Sequence, residues 1–151
     1  MSEKPSLTLD FVYRFCHDID AMREFYTDFV GLEETVHANE EGYAFIGYKC
    51  GSLTMYFLRG ETVKPEKAGW TKQLGYSSGS VERTSYSIGM SERKFRYAVK
   101  RLRKANVEAF SDVPLWLHDE YWSYIVQDPM GVTIEIHTKP IEKPPNGQWS
   151  W

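Results

Sequence analysis

Cysteine is nearly absent: Cys16 and Cys50 are the only two in 151 residues. They form no CxxC pair, and two thiols cannot build a disulfide framework, so both are expected as buried, reduced side chains. No apolar run approaches the length needed to cross a bilayer, and residues 1–10 lack the apolar core of a secretion signal. A cytoplasmic protein with no membrane partner is expected. An excess of positive charge is missing too, with 18 Lys and Arg against 21 Asp and Glu. Nucleic acid is therefore not an expected partner, because backbone phosphates call for clustered basic residues. The one basic stretch, Arg93 to Lys104, shares a helical pattern with the inward Phe95, Ala98, Val99 and Leu102. It reads as the solvated face of a helix.

Aromatic residues, by contrast, are plentiful: ten Tyr, eight Phe and five Trp make up 15% of the chain. That is enough to fill a core and still line a binding surface. The hydrophobic pattern alternates from Leu7 to Cys16, which predicts a strand. Asp18 or Asp20 then supplies an N-cap, and Met22, Phe25, Tyr26, Phe29 and Val30 follow at helical spacing up to Gly31, placed for a left-handed C-cap. Three short strands are predicted at Glu33 to His37, Tyr43 to Tyr48 and Ser52 to Leu58, separated by turn residues. After a connection rich in glycine and serine the order restarts. A strand at Thr84 to Met90 and a helix from Ser91-Glu92 to Ala105 come first. Asn106 follows in the role of Gly31, then strands at Val107 to Phe110, Tyr121 to Gln127 and Val132 to Thr138.

Two copies of one β-α-β-β-β motif thus occupy the chain. Neither could bury its sheet alone, so they are expected to pack together, within one chain or with a second copy in a homodimer. The last residues, Pro140 to Trp151, are expected either to wrap along a neighbour or to hang loose.

The stretch from Asp18 through Phe25-Tyr26 to Gly31-Leu32 resembles the first-module signature of the glyoxalase/bleomycin resistance protein/dioxygenase (vicinal oxygen chelate) superfamily. Gln127-Asp128-Pro129-Met130-Gly131, followed by an alternating strand carrying Glu135, resembles its second-module ending. The resemblance spans residues 7–138. It implies an α+β fold in which two βαβββ modules, 7–58 and 83–138, form a cup-shaped curved mixed sheet with helices on the convex side. Residues 59–82 would be the linker and 139–151 a C-terminal tail. The fold hosts isomerases, dioxygenases, thiol transferases and non-catalytic drug binders, so it names no substrate.

The resemblance also implies a metal site: His on the first strand, His or an equivalent on the fifth, and Glu on the eighth. Glu135 matches the eighth. Ser85 stands at the fifth, and a neutral hydroxyl is a poor ligand for a divalent transition metal. The first position is open. Ungapped matching to Phe25-Tyr26 puts Phe11 there. Binary patterning instead sends Phe11, Tyr13 and Phe15 to the helices and Asp10, Val12 and Arg14 into the cup, and is the preferred reading. A one-residue slip reverses every side chain, so both cannot hold. His137 shares Glu135's face, but residues two apart on a strand sit roughly 6.5–7 Å apart. Asp10, Glu135 and His137 are thus candidates for an incomplete set. No cofactor is expected, and a divalent metal is the minor alternative.

Alternation sends Ser85, Ser87, Gly89, Thr133, Glu135 and His137 into the cup, with Thr54 and Tyr56 from the first module. The expected pocket comprises Asp10, Arg14, Thr54, Tyr56, Ser85, Ser123, His137 and Trp122, with Glu135 as the candidate catalytic base. Trp116 and Tyr121 would add to an aromatic groove. Three functions stay open. One is a small-molecule binder without the full metal site. Another is an enzyme, metal-dependent or metal-free, that acts on a small oxygenated metabolite with Glu135 as base or ligand. The third is a structural or partner-binding module that keeps the fold without the site.

Overall fold

The computed structural model describes residues 8–66, 69–73 and 84–151. Expectations that rest on Leu7, Gly75, the Ser77-Ser78-Gly79-Ser80 run and Arg83 lie outside these residues. Strand β1 (Phe11–Cys16) leads into a turn where the Asp18 carboxylate accepts the amides of Asp20, at 2.9 Å, and Ala21, at 3.1 Å. Those donors would otherwise be orphaned at the helix start, so Asp18 is the N-cap. Helix α1 (Ile19–Arg23) widens without a break into a π-helical segment, Glu24–Val30. Gly31, at φ 89°, ends it, and the amides of Gly31 and Leu32 both donate to the Tyr26 carbonyl. A side chain is strained at that φ, which is why glycine holds this cap.

Strands β2 (Glu33–Glu40), β3 (Tyr43–Cys50) and β4 (Leu53–Arg59) complete the first module. The sheet order is β1-β4-β3-β2, with β1 parallel to β4 and the other pairs antiparallel. The second module repeats the plan with β5 (Tyr86–Gly89), α2 (Glu92–Lys104), β6 (Leu115–Leu117), β7 (Tyr121–Gln127) and β8 (Thr133–Thr138). Its order is β5-β8-β7-β6, again with a parallel β5–β8 pair. The architecture is therefore α+β, two βαβββ modules whose curved mixed sheets carry their helices on the convex side. One continuous hydrophobic cluster joins them, running from Cys16, Phe25 and Phe57 to Phe95, Leu102 and Ile136.

Three expectations change. The preferred reading of β1 is reversed: Phe11, Tyr13 and Phe15 are 55%, 60% and 52% exposed on the concave face, while Val12, Arg14 and Cys16 turn toward the helices. The parallel register fixes this, because Val12 and Arg14 sit beside Met55 and Phe57, both buried under α1. The side facing the core could accept Arg14 because that guanidinium has partners there. Second, the edge of the second sheet is interrupted. Ala109 bridges Val126, the chain leaves the sheet at Ser111 to Pro114, and Leu115–Leu117 pairs with the other end of β7. The expected strand at Val107 to Phe110 is only the first fragment of that edge. Third, the tail does not hang loose but packs on its own chain: Trp149 lies against Phe95 and Trp122, and Arg96 and Arg103 stack on Trp149 and Trp151. The basic face of α2 is thus partly spent on the chain's own tail.

The modules are also tied by a buried polar chain. Arg14 Nη1 donates to Tyr86 Oη at 3.2 Å and to Asp128 Oδ2 at 3.4 Å, and Tyr26 Oη donates to the same Oδ2 at 2.8 Å. With the Tyr26 proton spent on Asp128, the 2.5 Å contact between the two phenols is a donation from Tyr86 to Tyr26. Burial pushes both phenols up, so they stay protonated donors. The other carboxylate oxygen, Asp128 Oδ1, takes the amides of Met130 and Val132 and so shapes the β7–β8 turn.

Candidate functional site

On the concave face of the second module, β5 and β8 run side by side with Ser87 opposite Glu135 and Gly89 opposite His137. β7 places Ser123 beside His137 and Ile125 beside Glu135. Residues 69–73 cross this face. Trp70 packs edge-on against Phe110, the Thr71 amide donates to Thr133 Oγ1 at 2.9 Å, and the Lys72 ammonium lies 4.3 Å from the Phe110 ring centroid. Between this segment and the sheet lies a cavity of about 470 Å³, lined by Thr71, Lys72, Gln73, Ser85, Tyr86, Ser87, Ile125, Thr133 and Glu135. That size suits a small organic molecule. A second hollow of about 440 Å³, with Arg14, Lys64 and Met130 in its wall, adjoins it at Thr71 and Thr133.

Glu135 is 6% exposed. Its carboxylate takes Ser87 Oγ on one oxygen at 3.1 Å and Gln73 Nε2 on the other at 3.0 Å. Gln73 Nε2 also donates to Tyr121 Oη at 2.7 Å. The Tyr121 phenol is pushed up to about 12, first by burial and then by the charge of Glu135. Ser87 Oγ also meets His137 Nδ1 at 2.6 Å, and the His137 ring lies 5.2 Å from that of Tyr121. Burial lowers the imidazole's pKa, and the Glu135 charge offsets only part of that. Ser85 donates to the Thr133 carbonyl at 2.6 Å. Ser123 is fully buried, and its hydroxyl has no partner among the described residues.

The pocket read from the sequence is therefore split. Ser85, Ser123, Glu135 and His137 share the concave face of the second sheet. Thr54 and Tyr56 lie on the concave face of the first sheet, where the Tyr56 ring covers Gly47 so closely that a Cβ there would meet it at 2.8 Å. Arg14 is turned away into the link between modules, and Asp10 lies on the same side of β1, exposed at the strand's start. Trp122 does not reach this cavity: it is 5% exposed on the helix side, packed against Trp116 and Trp149, where it lines a separate hollow with the C-terminal tail. It moved because alternation from Ser123 puts Trp122 on the opposite face. Gln73, Thr71 and Lys72 were not foreseen, since a connection without periodicity carries no signal of the face it will cover.

The metal implied by the resemblance can be tested on these donors. Phe11, at the first ligand position in the observed register, has no donor atom, and Ser85 spends its proton on a backbone carbonyl. Glu135 is the single carboxylate of the trio, and neutral groups already hold both of its oxygens. Among the described residues no three His, Cys, Asp or Glu side chains gather as a cation site. This donor set does not fit a divalent transition metal. The thiols offer no alternative: neither Cys16 nor Cys50 joins a cluster of possible ligands among the described residues, and burial pushes Cys16 up to about 11 and Cys50 upward as well. No helix among the described residues is long and apolar enough to cross a membrane.

Solved structures share the fold at low identity. A glyoxalase/dioxygenase from Nostoc punctiforme matches with a TM-score of 0.65 and 14% identity, over 92% of this chain and 99% of that one. Lactoylglutathione lyase from Agrobacterium tumefaciens matches at 0.58 and 17%, over 89% and 96%. A glutamate-to-glutamine variant of the fosfomycin resistance protein FosX from Listeria monocytogenes, complexed with Mn(II) and a dihydroxypropylphosphonic acid, matches at 0.56 and 13%, over 90% and 95%. No curated protein sequence matches the chain. The family model for the glyoxalase/bleomycin resistance protein/dioxygenase superfamily matches residues 8–136, in agreement with the duplicated βαβββ architecture, and the chain belongs to that superfamily.

Proposed function

We propose that the concave face of the second module binds a small organic molecule in the cytoplasm, without a divalent metal, and that the protein works as a homodimer. The carrying observation is Glu135, a nearly buried carboxylate at a cavity wall held by the neutral donors Ser87 and Gln73. Such a group remains an acceptor for a ligand that brings hydrogen-bond donors or positive charge.

The dimer reading rests on the other concave face. Leu9, Phe11, Tyr13, Phe15 and Tyr43 leave an apolar surface on the first module, with rings in sequence at 6.4 and 6.5 Å along β1. Four half-exposed rings from each of two copies offer on the order of 800 Å² of apolar area. That approaches the scale of a specific interface once polar rim is added. A second copy is the occupant committed to here, because a self-complementary patch pairs with itself about a two-fold axis.

A second reading has one observation in its favour. The Glu135–Ser87–His137 chain suits metal-free proton transfer on a small oxygenated metabolite, with Glu135 as general base.

The site is tested by titrating wild type and Glu135→Gln with hydroxylated and amine-bearing fragments, followed by thermal shift and amide spectra, with and without EDTA. Fragments at a hundred times their Kd are expected to stabilise wild type by about 2.7 kcal/mol, equally in both conditions. Glu135→Gln should bind them at least about tenfold more weakly. Equal binding by the variant, or perturbations confined to amides outside the second module, would refute the site.

A further inference from the structure

We propose that Ser87 holds His137 with its proton on Nδ1, so that the bare Nε2 is a fixed hydrogen-bond acceptor on the concave face beside Glu135, and that the ligand is therefore a hydroxyl or amine donor rather than an anion. The ligand class rests on the small-molecule reading above. The hydrogen-bond chain does not.

Proton accounting leads there. Ser87 Oγ lies 3.1 Å from Glu135 Oε1 and 2.6 Å from His137 Nδ1. A hydroxyl has one proton and an ionised carboxylate has none, so the Ser87 proton goes to Glu135. The 2.6 Å contact with the imidazole then closes only if Nδ1 carries the hydrogen. In a neutral ring the second nitrogen is bare. Gln73 holds the other carboxylate oxygen, which fixes the group with Oε1 toward Ser87.

The ring's place is built into the sheet. A Cβ at Gly89 would come within 3.0 Å of both Cε1 and Nε2 of His137, so the imidazole lies over bare β5 backbone. Tyr121 from β7 packs beside it, with its ring centroid 5.2 Å away. The charged and titratable groups around it are Glu135 on its own strand, Tyr121 on β7, His118 and Glu120 in the turn before β7, and Lys139 past the end of β8. A carboxylate and a bare Nε2 together present acceptors. An anionic ligand would face both with nothing to give, and the Lys72 ammonium in the same cavity wall is drawn over the Phe110 ring, 4.3 Å from its centroid.

Long-range nitrogen-15 spectra of the imidazoles read the tautomer directly, at about pH 8, where the ring is neutral. Wild type is expected to show His137 with a protonated Nδ1 and an unprotonated Nε2. Ser87→Ala removes the acceptor for Nδ1–H and should lose that preference. Glu135→Gln should reverse it. Gln73 would hold the new amide's oxygen, its NH₂ would face Ser87, and the released Ser87 proton would go to Nδ1. An Nε2–H ring in wild type, or an Nδ1–H ring unchanged in both variants, would overturn the chain. Ethylene glycol and ethanolamine should shift the wild-type Nε2 resonance and acetate should not. A shift by acetate alone refutes the ligand class. With the tautomer as expected, silence from all three probes refutes both the ligand class and the small-molecule reading, and leaves the hydrogen-bond chain standing.

Discussion

Asp128→Ala is expected to cost about 3–5 kcal/mol of folding stability, the scale of breaking a buried ion pair from one side. The side chain is fully buried and serves four donors at once: the Arg14 guanidinium, the Tyr26 hydroxyl, and the amides of Met130 and Val132. Alanine takes that acceptor from all four, and leaves Arg14 only its bond to Tyr86 Oη. Arg14, one-quarter exposed at its side chain, then lies against Phe57 and Tyr86 with no counterion from this cluster. Each orphaned neutral donor adds a desolvation penalty of about 1–3 kcal/mol where it stays dry. Partial relaxation toward solvent keeps the sum below the full total. Urea unfolding checks the value. A loss under about 1 kcal/mol would mean that the link between modules is ornamental and the shared apolar cluster alone holds them. Arg14→Met should cost less than Asp128→Ala, because the buried carboxylate loses its counterion but keeps three donors, the Tyr26 hydroxyl and the amides of Met130 and Val132.

The second large effect concerns the first module's concave face. A Tyr13→Lys, Phe15→Lys double variant is expected to shift the dimer to monomer, with Kd raised by a hundredfold or more. Two half-exposed rings per copy are lost from the seam at about 25 cal/mol per Å², and two like charges per copy are brought to face their symmetry mates. The folded monomer should survive, since these side chains contribute little to the core and lie 60% and 52% exposed. Light scattering across a dilution series reads the result. A wild type that is monomeric at all concentrations would remove the dimer reading, and a dimer untouched by the double variant would place its interface elsewhere.

What the sequence disclosed and what it hid follow from the same physics. The duplicated order of elements was legible because each module repeats one periodicity switch, from alternation to helical spacing and back. Asp18, Gly31 and Asn106 marked the boundaries through cap chemistry that acts locally; Asn106 does take the positive φ, 54°, foreseen for it. The face of β1 was misread because patterning assumes that the more aromatic face turns inward. Here the opposite face reaches distant partners, Tyr86 and Asp128, that no local pattern announces. Trp122 was drawn toward the pocket by residue type, though its neighbour Ser123, already placed inward, dictated the opposite. The acceptors of the site, Glu135 and His137, were visible because they alternate on one strand. Their donors were not: Gln73 arrives from a connection without periodicity, and Ser87 looked like one small residue among several.

The central claim is that this member of the superfamily has built its concave site around a single carboxylate and not around a metal. The most direct measurement is elemental analysis of tag-free protein after incubation with Ni²⁺, Zn²⁺, Fe²⁺ and Mn²⁺ and desalting. Phe11 and Ser85 at the ligand positions predict that each ion washes away to well below one per chain, with no difference between wild type and Glu135→Gln. One ion retained per chain, and lost in Glu135→Gln, would contradict the account.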